Sequence, residues 1–288
     1  MKLCNCCNSK EITTKYHNDY IEYRCTNCGY DFFDYPQEIT YSFYSNSFKY
    51  KNYYNEYNKL LWHHKLILKN IGYLNNKLVL DFGCHDGFFT KELLKKKIDV
   101  YGYDWNIKAI ESGKNLYCLN SRISNSYPEK KYDVVIATEI IEHFQNFNFD
   151  FDKLSKLVKK KGLLIISTPN KNSIYRSKID FPPHHFSRFT TRSIKELLIS
   201  NNFEIIYSKN QFSLILLLRN IVGDFFRKDN IQLKSKTNKT FYTLKFCIDI
   251  ISIPLDYLFI PINFLLNAIG FNYMGQFIIA KKTHENSL

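Results

Sequence analysis

A chain of 288 residues has room for one large domain, or for one domain with a small module. Its 45% hydrophobic content supports a full core and excludes wholesale disorder. The formal charge of +13 comes from lysines scattered along a sequence rich in Lys, Asn, Ile and Tyr, so it is compositional and argues poorly for a nucleic-acid partner.

At the N-terminus, Cys4-x-x-Cys7 and Cys25-x-x-Cys28 lie seventeen residues apart. Each turn aims two thiolates at one point, and two such turns make the tetrahedral cage that zinc prefers. Residues 1–40 therefore read as a zinc ribbon with a structural metal held by Cys4, Cys7, Cys25 and Cys28, and Cys6 as a spare. So short a segment buries little core alone, so the metal is expected to supply folding energy. Met1 leads into polar residues without an apolar signal segment, and the cysteines suit metal better than disulfides; both point to a reducing cytoplasm.

Residues 41–76 read as a tyrosine-rich linker, with Tyr41, Tyr44, Tyr50, Tyr53, Tyr54 and Tyr57, followed by a lid helix over Leu60–Leu74. Its inner side is expected to carry Leu61, Ile67, Leu68 and Ile71. From Lys77 to about residue 210, apolar strands alternate with helices. Strands are expected at 78–80, 100–103, 134–137, 163–167 and 204–207, with a weakly marked one around 119–123. Helices are expected at 88–96, 105–114, 151–160 and 193–201. Lysine triplets 95–97 and 159–161 are expected at helix ends, where cations suit the dipole. Such alternation means a parallel sheet covered on both faces, with ligands at the carboxyl ends of its strands.

The stretch "VLDFGCHDG" ends the first of these strands. Gly83 lets the chain leave the strand tightly, and Gly87 permits close approach by a ligand or the next helix. Asp104 closes the second strand, placed to accept hydrogen bonds from two ribose hydroxyls. Together they resemble the Asp-x-Gly-Cys-Gly-x-Gly motif of class I S-adenosylmethionine-dependent methyltransferases. The resemblance implies an α/β, Rossmann-like doubly wound sheet and S-adenosylmethionine as cofactor. It puts Gly83, Cys84 and Gly87 at the cofactor loop, Asp81 near the methionine amino group, Asp104 at the ribose and Trp105 beside the adenine. His85 stands where the family has its second glycine. "YDVVIATEIIEHFQN", "GLLIISTPN" and "PPHHFSRFTTRSIKELL" resemble later parts of the same family. With the ribbon, they resemble a zinc-ribbon subgroup associated with sugars of cell-surface glycans or natural products.

Glu139, Glu142 and His143 are spaced to share one helical face, and His184 and His185 follow Pro182-Pro183. Three readings stay open. Glu139 contacts the cofactor while the others pack; His143 or His185 is a general base for an acceptor hydroxyl; or Glu139, Glu142, His143 and His185 bind a divalent metal that acidifies it. The base reading is preferred, because the later His pair departs in spacing from the similar arrangement in small-RNA and quinone-precursor O-methyltransferases.

Residues 211–270 form an apolar helical insertion interrupted by Pro254 and Pro261. It is expected to cover the acceptor site, to form a homodimer surface, or to lie on a membrane interface, which would suit a lipid-linked sugar. Residues 271–288 supply a final edge strand and tail. The expected reaction is methylation of a hydroxyl on a sugar-containing or small-molecule acceptor. An RNA methyltransferase and a catalytically silent cofactor-binding scaffold are the rivals.

Overall fold

The computed structural model describes residues 2–38, 60–177, 180–212, 217, 261–262, 265–266 and 274–284. The tyrosine-rich stretch 41–57, nearly all of the 211–270 insertion and the last four residues of the tail lie outside the described residues.

Two sheets organise the chain. The smaller holds β1 (Ile12–Tyr16), β2 (Ile21–Cys25), β3 (Asp31–Asp34) and β9 (Ser187–Arg188), in that order and antiparallel throughout. The larger comprises β4 (Leu78–Phe82), β5 (Asp99–Tyr103), β6 (Ile123–Ser124), β7 (Tyr132–Thr138), β8 (Val158–Pro169), β10 (Phe203–Gln211) and β11 (Gly275–Lys282). Its order is β10-β11-β8-β7-β4-β5-β6. The strands from β6 to β8 in that order are parallel; β11 runs antiparallel to both its neighbours. The chain winds outward through β5 and β6, then returns through β7 on the other side of β4. The switch between β4 and β7 leaves a crevice at the strand ends.

Alternation along each strand sends side chains to two cores. Val79, Val134, Ile136 and Phe277 face one core, closed by α1 (Trp62–Lys69) and α2 (Phe88–Lys95) through Leu66, Ile67, Phe89 and Leu93. Leu80, Val135 and Ile166 face the other, closed by α4 (Phe147–Lys156) and α5 (Thr191–Ser200). Helix α3 (Ile107–Tyr117) packs at the β5–β6 edge over Cys84, Leu119 and Ile123.

Four expectations change. The final strand is no edge: β11 sits between β10 and β8, and its run of buried residues is what an internal strand requires. Helix α4, expected at 151–160, begins at Phe147, and Lys159–Lys161 lie in an irregular stretch of β8 rather than at a helix end, with Lys159 paired to Asp133. The lid helix stops at Lys69 and continues as a 3₁₀ turn over Ile71–Leu74; it buries His63, Leu66 and Ile67, whereas Leu61 and Leu68 are only partly buried. Finally, the cysteine module does not stand alone. Cys4, Cys6, Cys28 and Tyr30 share a buried cluster with Phe147, Phe189 and Ile194 of the main domain.

Candidate active site

The turn after β4 is built from left-handed backbone. Gly83 (φ +82), His85 (φ +53) and Gly87 (φ +78) all take conformations that favour glycine. His85 thus takes left-handed backbone despite its side chain, and its N–H donates to Asp104 Oδ2 at 2.9 Å. The other oxygen of Asp104 accepts the Asn106 N–H at 2.8 Å. Gly83 and Cys84 N–H groups both bond the Tyr103 carbonyl, so the turn is fastened to the end of β5.

Contacts refine the expected roles. Gly87 is closed by protein on one side: a Cβ there would lie 2.8 Å from Leu119 and 3.1 Å from Ile123. The Cys84 side chain points away from the crevice into the α3 core, so only its backbone is offered to a ligand. Asp81 is buried and accepts the Thr90 hydroxyl at 2.8 Å; burial pushes its carboxyl up to about 7, against the opposing effect of that hydrogen bond. Burial likewise raises Asp104. Trp105 is about half exposed beside the turn.

Beyond β7, the acids and histidines separate into two groups. Glu139 precedes the 3₁₀ turn Ile141–His143 in left-handed backbone and shares no helical face with Glu142 and His143. It accepts the Ser167 hydroxyl at 2.8 Å, and burial pushes its carboxyl up to about 7. Its nearest imidazole is His63 of α1, 3.7 Å away. Sequence reading missed His63; its spacing with Leu66 and Ile67 on the inner face was the available signal.

Glu142, His143 and His185 form the second group. One ligand atom from each lies within 4.8 Å of the other two. The His143 and His185 rings meet edge to face at 4.7 Å. His143 Nδ1 donates to the His184 carbonyl at 2.8 Å, which puts the ring's lone pair on Nε2 in that tautomer. Burial, then neighbouring His185, lower the His143 imidazole to about 3. Glu142 Oε2 accepts the Thr168 hydroxyl at 2.9 Å, while Oε1 is buried with no hydrogen-bond partner among the described residues. Burial, then neighbouring Glu139, push the Glu142 carboxyl well above the ordinary carboxylate range, and a cation beside its orphaned oxygen would favour the ionised form.

The cysteine module carries the third constellation. The sulfurs of Cys4, Cys7, Cys25 and Cys28 all lie within 4.8 Å of one another, with Cys4–Cys28 at 3.5 Å and Cys7–Cys25 at 3.6 Å. Tetrahedral thiolate coordination of zinc at about 2.3 Å sets sulfurs roughly 3.8 Å apart, so the four residues fit such an ion. Cys6 is fully buried beside them and outside the set. Among the described residues, no helix is long and apolar enough to cross a membrane.

Comparison with known proteins adds relatives. A family model described as a methyltransferase domain matches residues 54–208, just over half of the chain. The ubiquinone biosynthesis O-methyltransferase of Pelagibacter ubique is 34% identical over 107 residues, covering 34% of this chain and 44% of the relative. That of Rickettsia bellii is 33% identical over 147 residues, covering 44% and 61%. The chain thus spans about half the length of the curated relatives it matches. A SAM-dependent methyltransferase structure from Archaeoglobus fulgidus aligns with a TM-score of 0.51 at 20% identity, over 82% of this chain and all of the other, which is a likeness of fold.

Proposed function

The chain belongs to the methyltransferase-domain family, and from that premise we propose that it transfers a methyl group from S-adenosylmethionine to a hydroxyl of a small-molecule acceptor. The cofactor would lie over the crevice between β4 and β7, its ribose hydroxyls on Asp104 and its ammonium toward Asp81. When bound, it supplies an activated methyl on a sulfonium. The protein's tasks are then to align the acceptor, exclude water and take a proton.

The observation that carries this reading is the convergence of Glu142, His143 and His185 at the same end of the sheet as the Gly83–Gly87 turn. Burial keeps His143 neutral, the form that accepts a proton, but the same shift weakens it as a base, so the geometry of the cluster and not its basicity supports the proton-accepting role. The three residues also fit a divalent cation, favoured by the orphaned Glu142 oxygen; such an ion would lower the pKa of a coordinated hydroxyl. Three of the four expected ligands converge, and Glu139 stands apart on Ser167.

Two curated relatives are named for O-methylation in ubiquinone biosynthesis, which supports a phenolic or other small hydroxyl acceptor. A sugar-bearing acceptor is the narrower reading, tied to the cysteine module, in which zinc would serve structure alone. Turnover with a panel of catechols, quinone precursors and nucleotide sugars tests the class. His143→Ala and His185→Ala are expected to lower kcat by about 100-fold or more while leaving cofactor affinity nearly unchanged. Full turnover in both variants removes them from the chemistry. Strict dependence on Mg²⁺ or Mn²⁺, abolished in Glu142→Gln, would select the metal over the base.

A further inference from the structure

The Glu142–His143–His185 cluster has little support of its own, being a single 3₁₀ turn and a loop. Two segments hold it in place. On one side stands the end of β8, where Ser167 and Thr168 donate to Glu139 and Glu142. On the other runs the chain into β9, where the Phe186 N–H donates to the Glu142 carbonyl at 2.8 Å and the His184 carbonyl receives His143.

Both segments lead to the cysteine module. β9 is paired to β3 through Asp31 with Arg188 and Phe32 with Ser187, and the Phe33 N–H donates to the Phe186 carbonyl at 3.0 Å, one residue from His185. Tyr30 Oη and Ser187 Oγ are 2.7 Å apart in the interior. The end of β8 continues to Lys171, whose N–H bonds the Phe189 carbonyl and whose ammonium bonds both the Gly29 carbonyl and Asp31. Gly29 directly follows Cys28, and the Cys28 carbonyl accepts the Thr190 hydroxyl at 2.8 Å.

Asp31 is the junction. It is fully buried and meets Lys171, Arg188 and Arg24. Burial alone would raise its carboxyl, yet these cations hold it below the usual carboxylate range. Arg188 and Arg24 also reach Glu22 at 2.9 and 3.1 Å. A module tethered only to stabilise itself would not need its charged junction on the two segments that carry the cluster.

We propose that the cysteine module is a built-in positioning element of the acceptor site, in which Lys171 and Asp31 are positioning residues that hold His185 against His143 and Glu142. This rests on reading that cluster as the acceptor site. Site geometry of this kind must be kept to a fraction of an ångström, and support from packed, hydrogen-bonded neighbours is what provides it.

The test is Lys171→Met in the full chain, with Lys171→Arg as the conservative partner. Histidine-labelled protein reads the cross-peak between the His143 and His185 rings, which needs no turnover, and calorimetry reads S-adenosylmethionine affinity. In Lys171→Met the cross-peak should weaken and kcat should fall about 10- to 100-fold, while cofactor affinity changes by less than about twofold, because Asp81 and Asp104 share no hydrogen-bond partner with Lys171. Lys171→Arg should recover most of both. Loss of the cross-peak supports the proposal even where no acceptor is turned over, so failure of the functional reading stays separate. A folded Lys171→Met chain with the wild-type cross-peak overturns the proposal. So does a parallel collapse of cofactor affinity, which signals general loosening. If Lys171→Met does not fold, Asp31→Asn is read by the same measurements against the same outcomes.

Discussion

Gly113→Ala separates what a helix prefers from what this fold permits. Gly113 lies inside α3, where alanine is about 1 kcal/mol better than glycine by helix propensity. Propensity alone therefore forecasts a more stable protein. In the structure a Cβ at this position would stand 1.8 Å from the Asp86 carbonyl oxygen and 2.6 Å from its carbon. Asp86 is part of the turn proposed to receive the cofactor, and the obstacle is backbone, which cannot rotate away. Relief to an ordinary contact requires α3 and the turn to separate by roughly 1.5 Å. Overpacking of this kind costs about 1–3 kcal/mol, which exceeds or cancels the helical gain. The expected result is a net loss of about 1 kcal/mol in urea unfolding. Cofactor affinity in calorimetry should fall by about tenfold or more, because the turn is displaced on the scale that disrupts positioned groups. A Gly113→Ala protein that is more stable and binds S-adenosylmethionine as before would refute the assignment of the turn as the cofactor seat.

Asp104→Ala removes both acceptors proposed for the ribose and frees the His85 N–H; cofactor affinity should drop by about 3 kcal/mol, roughly 100-fold, and unchanged calorimetry would contradict the role. Asp81 gives a pH signature. Its carboxyl is raised in the folded apoprotein, so the folded chain binds more protons than the unfolded one between the ordinary carboxylate range and about pH 7. Its contribution to stability is therefore largest at acid pH and declines as pH rises through that window, by on the order of 4 kcal/mol in total. An ammonium beside it favours the ionised form, so binding below pH 7 should release a proton. Calorimetry in buffers of different ionisation enthalpy detects that release, and Asp81→Asn should abolish it; an identical signal in the variant would rule Asp81 out. The cysteine cage should carry one zinc per chain with sulfur neighbours at about 2.3 Å in X-ray absorption, and Cys28→Ser should lose the metal and lower the melting temperature. Metal-free wild-type protein of full stability would exclude that assignment.

Much of the main domain was legible because its signals are local. Short apolar runs such as Leu78–Leu80 and Val134–Ala137, repeated in alternation with helical patterns, read as buried strands, and the glycines around Cys84 mark a turn that needs positive φ. The weakly marked strand near residue 123 is two residues long, so little periodicity existed to read. Errors arose where a residue's partner is remote in sequence. Glu139 and Glu142 are three apart and were expected on one face. Ser167 and Thr168 draw them to different places once β8 lies alongside β7. His63 and Gly113 carry no motif at all; their importance lies in Glu139 and Asp86, reached only through tertiary contact.

By itself, then, the sequence determined most elements of the main sheet, the Gly83–Gly87 turn, the position of Asp104 just after β5 and the four-cysteine spacing, because backbone preference and short-range periodicity suffice for these. Tertiary structure alone decided that β11 is internal, that Glu142, His143 and His185 meet without Glu139, and that the cysteine module grips the chain on both sides of the site. The physical reason is that pairing register and buried charge partners depend on which distant segments share a low-dielectric interior, and no local pattern encodes that choice.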